Sequence, residues 1–305
     1  MKRPVDPNAL LSCLSSAGCV VTQTTGGLII GMLLFLVAVG LTLIFGVLKI
    51  VNFTHGAFYM LGAYFSLTAY ELTGGSYLAA VLAGGIGTTV VGFVFERLFI
   101  SRVYGRNVLM QLLVCYGFVL IFDDLVKIIW GAEFRSMGMP AAFQAPPFFI
   151  AGGVVPYFYV FLIGAAVLIA VVLGLLLAYT RIGKTVRAAA QNPTMISALG
   201  VNTGLLFGLV FALGCLLAGL AGALAAPVRS MTPGMGFSIL IESFIVTVIG
   251  GMGSVLGALV GAILIGLTRS FGSIGFPLFT DGLMYLLMVI VLVARPTGLF
   301  GRRIA

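Results

Sequence analysis

The sequence predicts an all-α polytopic membrane protein of about eight to nine transmembrane segments, with broken or re-entrant helices among them. Three observations lead there. Of 305 residues, 61% are hydrophobic and only 8% charged, which excludes a soluble globular domain. Apolar runs close to the roughly 20 residues that a membrane-crossing helix needs recur along the chain. Most of the 16 Lys and Arg collect between those runs and at the ends. There they set orientation and meet anionic headgroups, so the formal charge of +8 points to a membrane and not to nucleic acid.

Residues 1–25 read as an N-terminal tail or a surface helix. Lys2 and Arg3 are followed by Pro4, Asp6, Pro7 and Asn8, and Ala9 to Val21 is too broken by Ser and Gly to be the apolar region of a signal peptide. Cys13 and Cys19 can pair if this end faces an oxidising compartment, but free thiols are the expectation. With Cys115 and Cys215 they form no metal-ligand spacing.

One membrane domain is expected over 26–301, leaving 302–305 as a cytoplasmic tail. Its first span lies near 27–48. Lys49-Ile-Val-Asn52-Phe-Thr54-His55-Gly56 then interrupts an apolar stretch too long for one span, and Asn52 or Thr54 is a ready N-cap for a helix starting near His55. Two readings stay open. The segment is an ordinary cytoplasmic turn with Lys49 and His55 solvated, or it opens a discontinuous helix whose unpaired N–H groups face an anionic substrate group.

The stretch 56–72 is apolar but oddly punctuated, and spans follow near 77–99 and 108–130. Arg97, Arg102 and Arg106 mark a cytoplasmic loop between those two. Asp123 and Asp124, with Lys127 four and three residues on, read as an interfacial ion pair. The Pro- and Phe-rich 131–156 falls outside, and 157–179 returns.

Thr180 to Asn202 is the longest polar interval, held in the cytoplasm by Arg181, Lys184 and Arg187. Val186 to Ala190 are helix formers, Asn192-Pro193 breaks the run, and Pro193 can open a second short helix that Gly200 ends. Spacing alone leaves a solvated connector and a docking surface for a soluble partner equally open. Ala178 to Thr185 approaches a phosphate-binding loop, but Ala178 stands where Gly is needed and the segment ends an apolar helix.

Beyond a span near 204–226, the loop 227–237 falls outside, and 238–250 is again punctuated. Glu242 within it faces the pathway or pairs with Arg229. Gly250-Gly251-Met252-Gly253-Ser254 reads as a break between half-segments, and Gly257 with Gly261 as a small-residue packing face in the span 255–271. The last span is near 281–294, followed by the cytoplasmic Arg295, Arg302 and Arg303. Counting back places the N-terminus outside if 56–72 spans fully and inside if it is re-entrant; Lys2 and Arg3 lean inside. Neither a nucleophile-and-base set nor a metal cluster stands out.

Three stretches, in order, carry a family resemblance. VNFTHGAFYMLGAY (51–64) is similar to a first signature, with Thr54 where Ala is usual. RAAAQNPTMISALGVN (187–202) resembles a cytoplasmic coupling loop, through Arg187, Ala188, Gln191, Asn192, Gly200, Val201 and Asn202. FIVTVIGGMGSVLGALVGAILIG (244–266) is close to a second signature, and RPTGLFG (295–301) is a family-like ending. Over roughly 26–301 the chain resembles permease subunits of the branched-chain amino-acid ABC importer family.

The resemblance implies a multi-pass subunit of the bacterial inner membrane that moves branched-chain amino acids or similar small molecules inward. Urea, short amides and aromatic acids are alternative cargoes. It implies a homologous permease, two ATPase subunits and a periplasmic substrate-binding protein as partners. ATP and Mg would be bound by the ATPases, so no cofactor and no catalysis are expected of this chain. The coupling residues would be Arg187, Ala188, Gln191, Asn192, Gly200 and Asn202. The substrate path is expected at Asn52, Thr54, His55, Gly56, Tyr59, Glu242, Gly250 and Gly251, with the two breaks meeting at one central cavity. The competing class is an ion-coupled secondary transporter of small zwitterions. Such a carrier should hold buried ion-binding acids and has no use for an ATPase-docking loop.

Overall fold

The computed structural model describes residues 7–301. Its helices are α1 (Pro7–Leu14), α2 (Ala17–Leu48), α3 (His55–Leu72), α4 (Tyr77–Leu98), α5 (Val108–Trp130), α6 (Tyr157–Tyr179), α7 (Arg181–Gln191), α8 (Pro193–Ala198), α9 (Thr203–Ala225), α10 (Met235–Gly250), α11 (Val255–Gly275) and α12 (Thr280–Ala294). Each apolar run of the sequence is thus helical, and five helices (α2, α4, α6, α9 and α11) are long and apolar enough to cross a membrane. The starts are written in the sequence. Ser16, Ser76, Asn107, Thr180, Asn192, Asn202 and Ser254 each accept a hydrogen bond from a first-turn N–H, satisfying donors that the helix itself cannot.

The first long helix corrects the expected boundary near Gly26. It begins at Ala17, capped by Ser16, and the hydroxyls of Thr22 and Thr25 donate to the Gly18 and Val21 carbonyls, at 2.9 and 2.8 Å. Side chains that read as a polar tail are satisfied within the helix. α1 is the surface helix, and the turn after it brings the Cα atoms of Cys13 and Cys19 to 5.2 Å in a disulfide. That overturns the expectation of free thiols there, while Cys115 and Cys215 are free and buried. Closing so short a loop contributes at most about 2 kcal/mol, so the expected signature is chemical. A membrane-impermeant maleimide should label Cys13 and Cys19 only after reduction, and labelling of unreduced protein would refute the bond.

Two three-residue strands break the all-helical pattern. β1 (Phe148–Ile150) pairs antiparallel with β2 (Gly153–Val155), and the Val154 N–H donates to Thr22 Oγ1 at 3.1 Å. A Cβ on Gly18 would come within 2.7 Å of the Gly152 carbonyl, so this hairpin sits on the N-terminal end of α2. The opposite end of α2 meets the glycine-rich turn, with Gly46 against Gly253. That turn in turn contacts the segment after Arg295, where Gly298 lies against Gly251. The start of α2 thus shares an end of the bundle with the hairpin of β1 and β2, away from the Arg295 end.

Backbones approach closely through small residues, as expected where lipid supplies no hydrophobic drive between helices. Gly31 of α2 would place a Cβ 2.8 Å from the Ala262 carbonyl of α11, and Gly84 of α4 would place one 2.7 Å from the Gly62 carbonyl of α3. Around Phe58, the rings of Phe95, Phe122 and Phe211 gather from α4, α5 and α9 at 5.7–6.1 Å. Large apolar side chains such as Leu168 of α6 and Val293 of α12 point outward, as lipid-facing positions do.

Candidate substrate cavity and coupling surface

α2 ends at Lys49, which adopts the left-handed conformation (φ 57) and is exposed. The chain then turns back along α2, so that His55 Nε2 donates to the Val37 carbonyl at 2.9 Å. Val37 lies 11 residues before Leu48 (48 − 37), about 16 Å at 1.5 Å per residue. α3 therefore starts inside the bundle, and the reading of a solvated His55 is corrected; Asn52, Thr54 and His55 are fully buried. Asn52 Oδ1 accepts from the Thr54 N–H at 3.1 Å and from its hydroxyl, which closes the turn before the helix. Gly56 abuts the backbone of Gly236 at the start of α10. These four residues hold helices together, and none borders the two cavities that open one turn further on.

One turn later the surroundings change. Tyr59 borders a cavity of about 510 Å³ whose charged wall is Arg229, Glu242, Arg269 and Asp281. Behind it lies an apolar pocket of about 170 Å³ walled by Ile29, Leu33, Val37 and Ile239, and Tyr59, Arg229 and Ile239 border both spaces. Arg269 Nη1 meets Glu242 Oε1 at 2.6 Å, and its Nη2 lies 3.9 Å from Asp281 Oδ1. Glu242 thus pairs with Arg269 and not with Arg229, which lines the same cavity beside Tyr59. Arg269 reaches because α10 and α11 form an antiparallel hairpin that sequence separation conceals.

Gly250 and Gly251 lie at the far end of α10, which at 16 residues is about 24 Å long. The expected meeting of the two breaks at one cavity is corrected. Gly250 packs on Gly257, and the Ile249 and Gly250 carbonyls accept from the Leu299 and Phe300 N–H groups at 2.8 and 3.0 Å. The break is satisfied by chain that comes later, so no wet cavity is needed there.

The basic interval folds as its punctuation predicts. Thr180 caps α7, Asn192 caps α8, Pro193 is the first residue of α8, and Gly200 sits at φ +84 before Asn202 caps α9. Arg187 folds back instead of reaching out, its guanidinium donating to the Leu177 and Ala178 carbonyls at the end of α6. Ala188 is half-buried against the bundle, and Gln191 is exposed. Met195 of α8 and Leu199, its C-cap, are 62% and 70% exposed.

A sequence profile described as "Branched-chain amino acid transport system / permease component" matches residues 23–292. The chain belongs to this family. It is a transmembrane permease subunit of an ABC importer. Among curated relatives it is 30% identical to the high-affinity branched-chain amino acid transport system permease protein BraD of Pseudomonas aeruginosa, over 92% of this chain and 95% of that one. It is 28% identical to LivH of Escherichia coli over the same shares, and 26% to a probable LivH of Methanocaldococcus jannaschii over 90% and 91%. Among solved structures, PsaBC from Streptococcus pneumoniae in complex with Fab shares the fold, with a TM-score of 0.50 over 94% of both chains at 10% identity.

Within the permease, the expected ion pair of Lys127 forms with one of the two aspartates. Lys127 pairs with Asp124 at 2.9 Å, while Asp123 accepts from the Gly234 N–H at 3.3 Å and ties α5 to the start of α10. Sequence reasoning missed Arg269 and Asp281. A signal existed for the first, because an arginine inside the apolar run of α11 is by default a candidate for function.

Proposed function

We propose that this permease carries branched-chain amino acids across the bacterial inner membrane, in a complex with a homologous permease, two ATPase subunits and a periplasmic binding protein. One observation carries the coupled mechanism. α7 is clamped to the end of α6 by Arg187, and beyond it α8 and its C-cap present Met195 and Leu199 to solvent. Apolar side chains displayed on a short helix held by a rigid neighbour suit insertion into a partner's cleft, and they let a push at α8 reach α6 without slack. The chain itself hydrolyses nothing.

Reconstitution of the whole complex in vesicles tests both halves. Leucine uptake should require ATP inside the ATPase compartment and no ion gradient, and Met195→Cys should cross-link to an ATPase subunit. Uptake driven by a sodium or proton gradient without ATP would reinstate the ion-coupled carrier. Binding of urea, short amides or aromatic acids by the cognate binding protein, in place of leucine, would redirect the cargo.

A further inference from the structure

We infer that the cavity bordered by Tyr59, Arg229 and Glu242 is a transit site that takes a zwitterion by both charges and its aliphatic side chain by the pocket behind. The charges balance: two arginines and two carboxylates wall the space, which suits a cargo of zero net charge. They are not equally engaged. Arg269 is held between Glu242 and Asp281. Arg229 makes no ion pair within 4.0 Å among the described residues, although it walls the same cavity as Glu242. Glu242 is only 9% exposed, yet its Oε2 has no hydrogen-bond partner. A carboxylate oxygen withdrawn from water without a partner is costly, and an incoming cation removes that cost.

An α-amino acid offers the matching groups on one carbon. Its carboxylate meets the Arg229 guanidinium in the fork geometry that such pairs favour. Its ammonium meets Glu242 Oε2. The side chain then enters the space between Ile29, Leu33, Val37 and Ile239. An apolar cavity of about 150 Å³ accepts benzene, so about 170 Å³ admits the four-carbon side chain of leucine or isoleucine. Urea and short amides carry no opposite charges and leave the aliphatic wall empty. The site rests on the cargo reading above and adds the residues that would read that cargo.

The test uses the complete importer in vesicles, with leucine, valine and alanine as probes. Arg229→Gln and Glu242→Gln should each lower leucine uptake at least roughly tenfold, while the complex still assembles and the periplasmic protein still binds leucine. Leu33→Phe, which fills the pocket, should lower the leucine-to-alanine uptake ratio by roughly tenfold, a change in selectivity that mere damage to the fold would not produce. If the wild-type complex moves leucine but both charge variants stay within about twofold of it, or Leu33→Phe lowers all three probes equally, the site is overturned while the cargo reading stands. A wild-type complex that moves no branched-chain amino acid overturns the cargo reading, and this site with it.

Discussion

Uptake by the complete importer should fall more than roughly tenfold when Gly200→Val and Arg187→Glu are combined, while the binding protein still holds its ligand and the permease still assembles. Gly200 links α8 to the cap of α9 at φ +84, a conformation that costs a side chain about 1–2 kcal/mol and a β-branched one more. Valine there is relieved by re-aiming α8, which with its C-cap displays Met195 and Leu199. Arg187→Glu removes the guanidinium from the Leu177 and Ala178 carbonyls and sets a negative charge at the negative end of the α6 dipole. One change misdirects the docking helix and the other loosens its mounting. ATP hydrolysis that continues without transport is the expected signature. Unchanged uptake in the double variant would make 180–202 a connector and nothing more.

A second large effect is expected at Gly56→Val. A Cβ there overlaps the Gly236 carbonyl, and one on Gly236 would lie 2.8 Å from the Gly56 carbonyl, so each helix start rests on the backbone of the other. Overpacking against movable side chains costs about 1–3 kcal/mol; against backbone on both sides the cost should reach or exceed the upper figure. Thermal unfolding in detergent should shift down by at least several degrees. Gly236→Ala should act in the same direction, and the pair should cost less than the sum, because both changes spread one contact. A wild-type melting temperature for Gly56→Val would show that α3 and α10 are not in backbone contact.

Helices and their punctuation were legible because they depend on neighbours in sequence. Asn192-Pro193 stops one helix and opens the next through two local facts, a side chain that caps and a ring that lacks an N–H. Thr54 before His55 marked the start of α3 within a residue, although Asn52 does the hydrogen bonding. Depth was not legible. Nothing in 49–56 says that the chain turns back along α2, since that follows from Gly40 leaving room for the His55 ring. Tyr59 and Glu242 could be named, but the apolar pocket and the two arginines come from four distant elements. The Cys13–Cys19 bond likewise depends on a turn whose direction two serines do not encode.

The stitching of α10 to the segment after Arg295 has a consequence for how the protein is made. The Ile249 and Gly250 carbonyls find their donors in Leu299 and Phe300, 50 residues later in the chain (299 − 249). At about 5–20 residues per second, roughly 2.5–10 seconds of synthesis separate acceptor from donor. During that interval the α10–α11 hairpin reaches the bilayer with its turn unfinished, and exposed carbonyls cannot rest in hydrocarbon. Water at the membrane surface or the insertion machinery must attend that turn until translation supplies its partner, so this end of the fold closes late, after the α10–α11 hairpin has been delivered.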